Sequence, residues 1–395
     1  MNVSLNPLAD ERRTPPEVLT FRKQFPIFET KIHLASNSKG ALSLPVIHAH
    51  MEYLDSWKMQ GAPWHAWIGK QEELRASFAD MIRASPHEVA ICPSVSVALG
   101  SIASCMNWRS RPAIVLDDFS FPSVAYLWRA QAARGAEVRS VHPDHNDEIQ
   151  PDAFEAVLDE RCQLVSVAHV CYKNGHRLDL PTIARKAHRV GAWFVVDDYQ
   201  CSGSRELDVR KTEIDILTTG TVKFMLGSPG VAFLYVRAGL LPDLHPTLTG
   251  WFGQQNPEDF QIERHIEAPD ASRFQNGTPA IPSIYDSLAG INLIKSVGLD
   301  VISTWIDQLT ALLMARLDRE GYVSATPLDP RKRGPQVAIR TKDMHATVRE
   351  LERRNVFVTS RDGNIRVAFH YYNTPDDIDV LIENMNQIQH LLIRR

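Results

Sequence analysis

The chain has 395 residues, 44% of them apolar and 23% charged, with a formal net charge of −4. That length exceeds the usual size of one compact domain and points to two. The composition is that of a folded globular chain, and the near-balanced charge gives no reason to expect a nucleic acid or a membrane as partner.

Residues 1–30 read as an N-terminal arm, polar at its start, with Pro7, Pro15 and Pro16 and no apolar signal core. At 71–82, Leu74, Phe78, Met81 and Ile82 fall on one helical face. Strand candidates then follow at 89–92, 113–116, 164–170, 193–196, 214–217 and 231–236. Several are apolar on both faces, as strands covered on both sides must be. Helical stretches such as 181–188 lie between them. This alternation predicts an α/β fold with a mostly parallel sheet over 31–279.

The remainder, 280–395, reads as a smaller C-terminal α+β domain. Strand candidates 336–340, 356–360 and 365–370 cluster there, with a charged helix at 346–354. Thr374 is a natural N-cap, Pro375 suits the first helical position, and Asp376 and Asp377 suit the positive helix end. Ile378, Leu381, Ile382, Met385, Ile388 and Leu392 continue as an apolar stripe. No uninterrupted apolar stretch is long enough to span a bilayer. The cluster Arg331-Lys332-Arg333-Gly334 reads as a solvated turn.

The five cysteines (Cys92, Cys105, Cys162, Cys171, Cys201) are odd in number and form no C-x-x-C pair. A disulfide framework or zinc site is therefore not expected, and reduced thiols fit a cytoplasmic protein. His48 and His50 lack a third ligand candidate, so no metal site is expected there either.

The chemistry concentrates around Lys223. It lies in an apolar, glycine-flanked run, Thr219-Gly220-Thr221-Val222-Lys223-Phe224-Met225-Leu226-Gly227, 26 positions after Asp197 at the end of the strand Trp193-Phe194-Val195-Val196. Pyridoxal 5'-phosphate needs both groups. A lysine amine forms the Schiff base, and a carboxylate pairs with the pyridine nitrogen and keeps the ring an electron sink.

With these motifs the chain resembles the class V aminotransferase family of fold-type-I pyridoxal phosphate enzymes over nearly its whole length. Cysteine desulfurases, kynureninases and isopenicillin N epimerase-like proteins belong to that family. The resemblance implies a large domain with a mostly parallel seven-stranded sheet, a small C-terminal domain and a homodimer with active sites at the subunit interface. It implies that Lys223 is the Schiff-base lysine, Asp197 the partner of the pyridine nitrogen, and Gln200 a contact to the phenolic oxygen. It assigns the phosphate to Val95 and Ser96, in Ser94-Val95-Ser96, where a helix N-terminus suits an anion. Phe121 stacks on the ring, Thr221 adds a hydroxyl near the phosphate, and Thr278 reaches the phosphate of the neighbouring subunit. Arg366 takes the substrate α-carboxylate, which a planar guanidinium can grip with two hydrogen bonds. His370, on the same strand face by alternation, and Ser36, Asn37 and His33 are candidates for the substrate pocket.

The chain also departs from these relatives. The loop 358–364 carries no cysteine, and none occurs after Cys201, so the usual persulfide route is ruled out. Desulfurases have histidine and kynureninases tyrosine just before the lysine, whereas Val222 here exchanges no proton. Lys223 is then the expected base for the Cα proton. The expected substrate is a small amino acid, and the first expectation is β-elimination of the carbon–sulfur lyase type. Aminotransfer or epimerisation is the alternative, and a non-catalytic cofactor-binding protein the third reading.

Overall fold

The computed structural model describes residues 14–395. Twelve strands are found among them: β1 (Ile32–His33), β2 (Val89–Cys92), β3 (Ala113–Asp117), β4 (Glu137–Val141), β5 (Cys162–Ala168), β6 (Trp193–Asp197), β7 (Ile216–Gly220), β8 (Ala232–Val236), β9 (Gln336–Arg340), β10 (Val356–Phe357), β11 (Thr359–Arg361) and β12 (Asn364–Ala368).

Seven of them form one sheet in the order β2-β8-β7-β6-β5-β3-β4. Strand β8 runs antiparallel to both of its neighbours, and every other pairing is parallel. The central strands are buried on both faces, and Val165, Val167, Phe194, Val196 and Leu217 join one continuous core while Leu164, Val195, Ile216 and Leu234 join a second. Two apolar clusters on opposite sheet faces explain why these strands lack a polar side. Edge strand β4 is mostly half-exposed, which is why it carries no apolar run and does not stand out in the sequence.

A second sheet has the order β11-β12-β9, antiparallel throughout. The stretch 356–360, which reads as one strand, divides at Val358: β10 pairs with β1, and β11 with β12. The N-terminal segment is thus tied to the C-terminal part rather than to the large sheet. Ala35 bridges Ala368, and Arg22 pairs with Asp377 at 2.8 Å. Where an irregular arm is expected, residues Pro16–Arg22 form a helix; residues 1–13 of that arm lie outside the described residues. Two long helices, Ile281–Val297 and Leu299–Glu320, lead into the C-terminal part. No single helix among the described residues is long and apolar enough to cross a membrane.

Candidate active site

A cavity of about 440 Å³ opens at one edge of the large sheet. Its walls are Pro93–Ser96, then Phe119, Phe121, Ser123 and Val124, then Ala168, Val170 and Tyr172, then Asp197, Tyr199 and Gln200, with Val222, Lys223 and Pro229–Val231. These segments follow the C-terminal ends of β2, β3, β5, β6 and β7, and precede the start of the reversed β8. Parallel α/β sheets bind ligands at that edge, where loops from several strands converge.

Lys223 is held by a tight turn after β7. Gly40 N–H donates to the Val222 carbonyl (2.8 Å), Leu226 N–H to the Lys223 carbonyl (3.2 Å), and Gly227 N–H to the Thr221 carbonyl (2.8 Å). Leu226 adopts a left-handed φ of 60° to make this turn, a conformation that the surrounding packing must enforce. The amine lies over the rings of Tyr199 and Phe121, 4.4 and 5.7 Å from their centroids. Burial lowers its pKa to about 8, against the opposing pull of Asp197. Asp197, at the end of β6, accepts the Tyr199 N–H at 3.1 Å. Burial pushes its carboxyl up to about 6, with Tyr199 N–H and Lys223 pulling the other way.

Ser94 caps the helix Val95–Cys105, its side chain accepting the Val97 N–H. Val95 and Ser96 are the first helical positions, so their backbone N–H groups lack intrahelical partners, and both residues line the cavity. Phe121 is 40% exposed and meets Tyr172 edge-on at 5.2 Å. Gln200 is buried with its Oε1 unpartnered. The groups fit pyridoxal phosphate: an anion cradle, a carboxylate, an amine of lowered pKa and a buried amide line one cavity.

Arg366, on β12, is buried, and burial lowers its pKa to about 10. Its Nη1 donates to the Tyr172 carbonyl (2.6 Å), while its Nε has no partner. It does not itself line the cavity but stands behind Tyr172, which does. Asn37 is close by in register: its Oδ1 accepts from Thr359, the residue opposite Arg366, and its Nδ2 donates to Gln336.

Other expected site residues are placed elsewhere. His370 is completely buried, its Nε2 donating to the Phe224 carbonyl (2.9 Å) and its Nδ1 accepting the Tyr371 N–H (2.8 Å). Burial lowers its pKa to about 4. It is a core imidazole, because β12 ends at Ala368 and strand alternation stops before it. Thr221 points into protein, donating to the Ser228 carbonyl and accepting from Ser287. Ser36 is bound to the Tyr372 hydroxyl at 2.6 Å, and His33 donates to the Lys39 carbonyl at 2.9 Å. Thr278 is exposed and lines a separate cavity of about 120 Å³.

Tyr172 and Tyr199 line the main cavity although the sequence reading passes over them. Tyr199 lies between Asp197 and Gln200, and that position is its signal in the sequence. The next side chains along alternate away: Ala168 and Asp197 face this cavity, whereas His169 lines a larger one of about 600 Å³. His169 pairs with Asp198 at 2.6 Å. Burial works against its charge, yet Cys201 and Asp198 together carry its pKa to about 10.

The family model for class V aminotransferases matches residues 34–381. An uncharacterized aminotransferase, YcbU, of Bacillus subtilis is 35% identical, over 92% of this chain and 96% of its own length. A kynureninase of Geobacillus thermodenitrificans is 26% identical, over 93% of this chain and 90% of its own. A cysteine desulfurase from Thermococcus onnurineus, solved in apo form, superposes with a TM-score of 0.85 at 22% identity, covering 95% of this chain and 99% of that one. A mutant of C-DES with glycine covalently linked to its PLP cofactor superposes at 0.86 and 22%, covering 94% and 99%.

Proposed function

The chain belongs to the class V aminotransferase family of PLP-dependent enzymes, and on that premise we propose that it catalyses β-elimination from a small sulfur-bearing amino acid. When bound, the cofactor supplies an electron sink for the pair left at Cα. We assign Asp197 to the pyridine nitrogen, where a carboxylate keeps that nitrogen protonated. Val95 and Ser96 hold the phosphate, Gln200 the phenolic oxygen, and Phe121 one ring face. Arg366 receives the substrate carboxylate, with Asn37 and Thr359 fixing the strand beside it.

The observation that carries the reading is the proton inventory of the cavity wall. Among the described residues, the titratable side chains lining that wall are Lys223, Asp197, Tyr172 and Tyr199, with no cysteine or histidine. Lys223, with a pKa of about 8, is poised to take the Cα proton near neutral pH. Val222 beside it can neither give nor take one. A departing thiolate needs little help from an acid, because thiols titrate near 8.5. No thiol stands ready to accept sulfur. Cys201, the last cysteine, is buried against His169 and Asp198.

The test is incubation of the purified protein with cysteine or cystine in the absence of a keto acid. Pyruvate and ammonium in equal amounts are expected. Amino transfer that depends on an added keto acid, with no pyruvate, would refute elimination. It would favour aminotransfer instead, the activity class in the name of the 35%-identical relative.

The same reading includes a homodimer. Ile47, Met51 and Leu54 form an exposed apolar stripe along the helix Leu44–Gln60, a surface of the kind that monomers seldom leave open. Thr278, exposed and away from its own chain's cavity, is then available to a neighbouring one. Light scattering that gives the mass of one chain would remove this part of the proposal.

A further inference from the structure

We propose that the Tyr199 phenol is a phosphate-binding residue of this site, its hydroxyl donating to the 5'-phosphate from a seat that Gly220 creates. The inference rests on the assignment of the cavity to pyridoxal phosphate.

Tyr199 follows β6 by two residues, and its ring folds back across the end of β7. A Cβ built on Gly220 would lie 2.2 Å from the Tyr199 Oη and 2.3 Å from its Cζ. The ring therefore rests directly on the Gly220 backbone, in space that any other side chain would fill. Gly220 does not need to be glycine for its backbone angles, since its φ is not in the left-handed range; its value here is the missing side chain.

The hydroxyl lies over Gly220 on β7, one strand from Asp197 on β6 and on the side of β2. Gly220 pairs with Ala232 on β8, and Ala232 pairs with Cys92 on β2. Cys92 is two residues before Ser94, the cap of the helix Val95–Cys105. With strands about 4.8 Å apart, the hydroxyl is thus displaced from the ring-nitrogen carboxylate toward the anion cradle. Lys223 lies over the ring face at 4.4 Å.

The hydroxyl is a donor by its chemistry. Tyr199 lines the cavity, and burial first and Asp197 second raise the pKa of its phenol. Both keep the phenol protonated at neutral pH. Near a dianionic phosphate such an O–H forms a charge-assisted bond, stronger than a neutral one. The backbone N–H groups of Val95 and Ser96 supply donors to the phosphate, and Tyr199, which lines the same cavity, adds a side-chain donor. The valine before Lys223 contributes none.

The test compares apo-protein of the wild type and of Tyr199→Phe. Each is titrated with pyridoxal phosphate and with pyridoxal, following the absorbance change on capture by Lys223. A hydrogen bond to a charged group accounts for roughly a 10- to 100-fold change in affinity. We expect Tyr199→Phe to lose that much for pyridoxal phosphate and nothing for pyridoxal. Gly220→Ala, which pushes the ring off its seat, is expected to show the same phosphate-selective loss. Equal losses for both aldehydes would place the phenol on the ring and overturn the inference, as would no loss for either. If the wild type captured neither aldehyde at Lys223, the cofactor assignment itself would fall, which is a different result from any of these.

Discussion

The buried amine of Lys223 makes a stability prediction whose size follows from its surroundings. Its pKa falls from the ordinary 10.5 to about 8, chiefly through burial. In the unfolded chain the same amine titrates at its ordinary value. Below about pH 8 both states hold the proton, and folding carries the full penalty of burying an ammonium. Between about 8 and 10.5 the unfolded chain binds the proton while the native state has released it, so stability rises with pH at up to 1.36 kcal/mol per pH unit. Integrated between about pH 8 and about pH 10, the gain is roughly 2 kcal/mol. Lys223→Met removes the titrating group and keeps the apolar stem. The assay is urea unfolding of cofactor-free wild type and Lys223→Met at both pH values. Titrations of groups that Lys223 does not influence are common to the two proteins and cancel in the difference. Asp197, whose pKa burial raises only to about 6, is ionised throughout the window. The wild type should be the less stable of the two at the lower pH and should recover roughly 2 kcal/mol relative to the variant at the higher one. A difference that does not change with pH would show that the amine is hydrated or paired in the native state. Lys223 would then not be a ready base near neutrality.

Arg366→Ala should raise the KM for the amino acid by roughly 10- to 100-fold, the effect of losing a charged hydrogen-bond partner. Arg366→Lys should recover little of that, because an ammonium cannot reproduce the paired donors; steady-state kinetics check both. His370→Ala should leave the KM of the folded protein unchanged but lower its stability by roughly 2–4 kcal/mol, through the lost packing and two lost hydrogen bonds of a fully buried ring. Urea unfolding together with kinetics separates these effects.

The parts of this site that the sequence discloses are those set by local chemistry. Asp197 ends an apolar run and Lys223 sits in a glycine-flanked turn, and both conditions are visible within a few residues of each side chain. The seven-stranded sheet is nearly as open to reading, because strands buried on both faces have no polar alternation to hide them. What escapes is set by partners far along the chain. Nothing near Ile32 announces that β1 pairs with β10, more than three hundred positions on. Alternation along β12 places His370 on the face of Arg366, yet the strand stops at Ala368 and the imidazole turns to the Phe224 carbonyl. Thr221 looks like a phosphate hydroxyl until Ser228 and Ser287 are seen to engage it. Tyr199 is the reverse case. A tyrosine between Asp197 and Gln200 and a glycine at position 220 carry no local sign of each other. Each becomes informative only when the ring of one is found lying on the bare backbone of the other. A substitution at either position would change the same contact, so the two should be considered as one unit when variants of this cavity are compared.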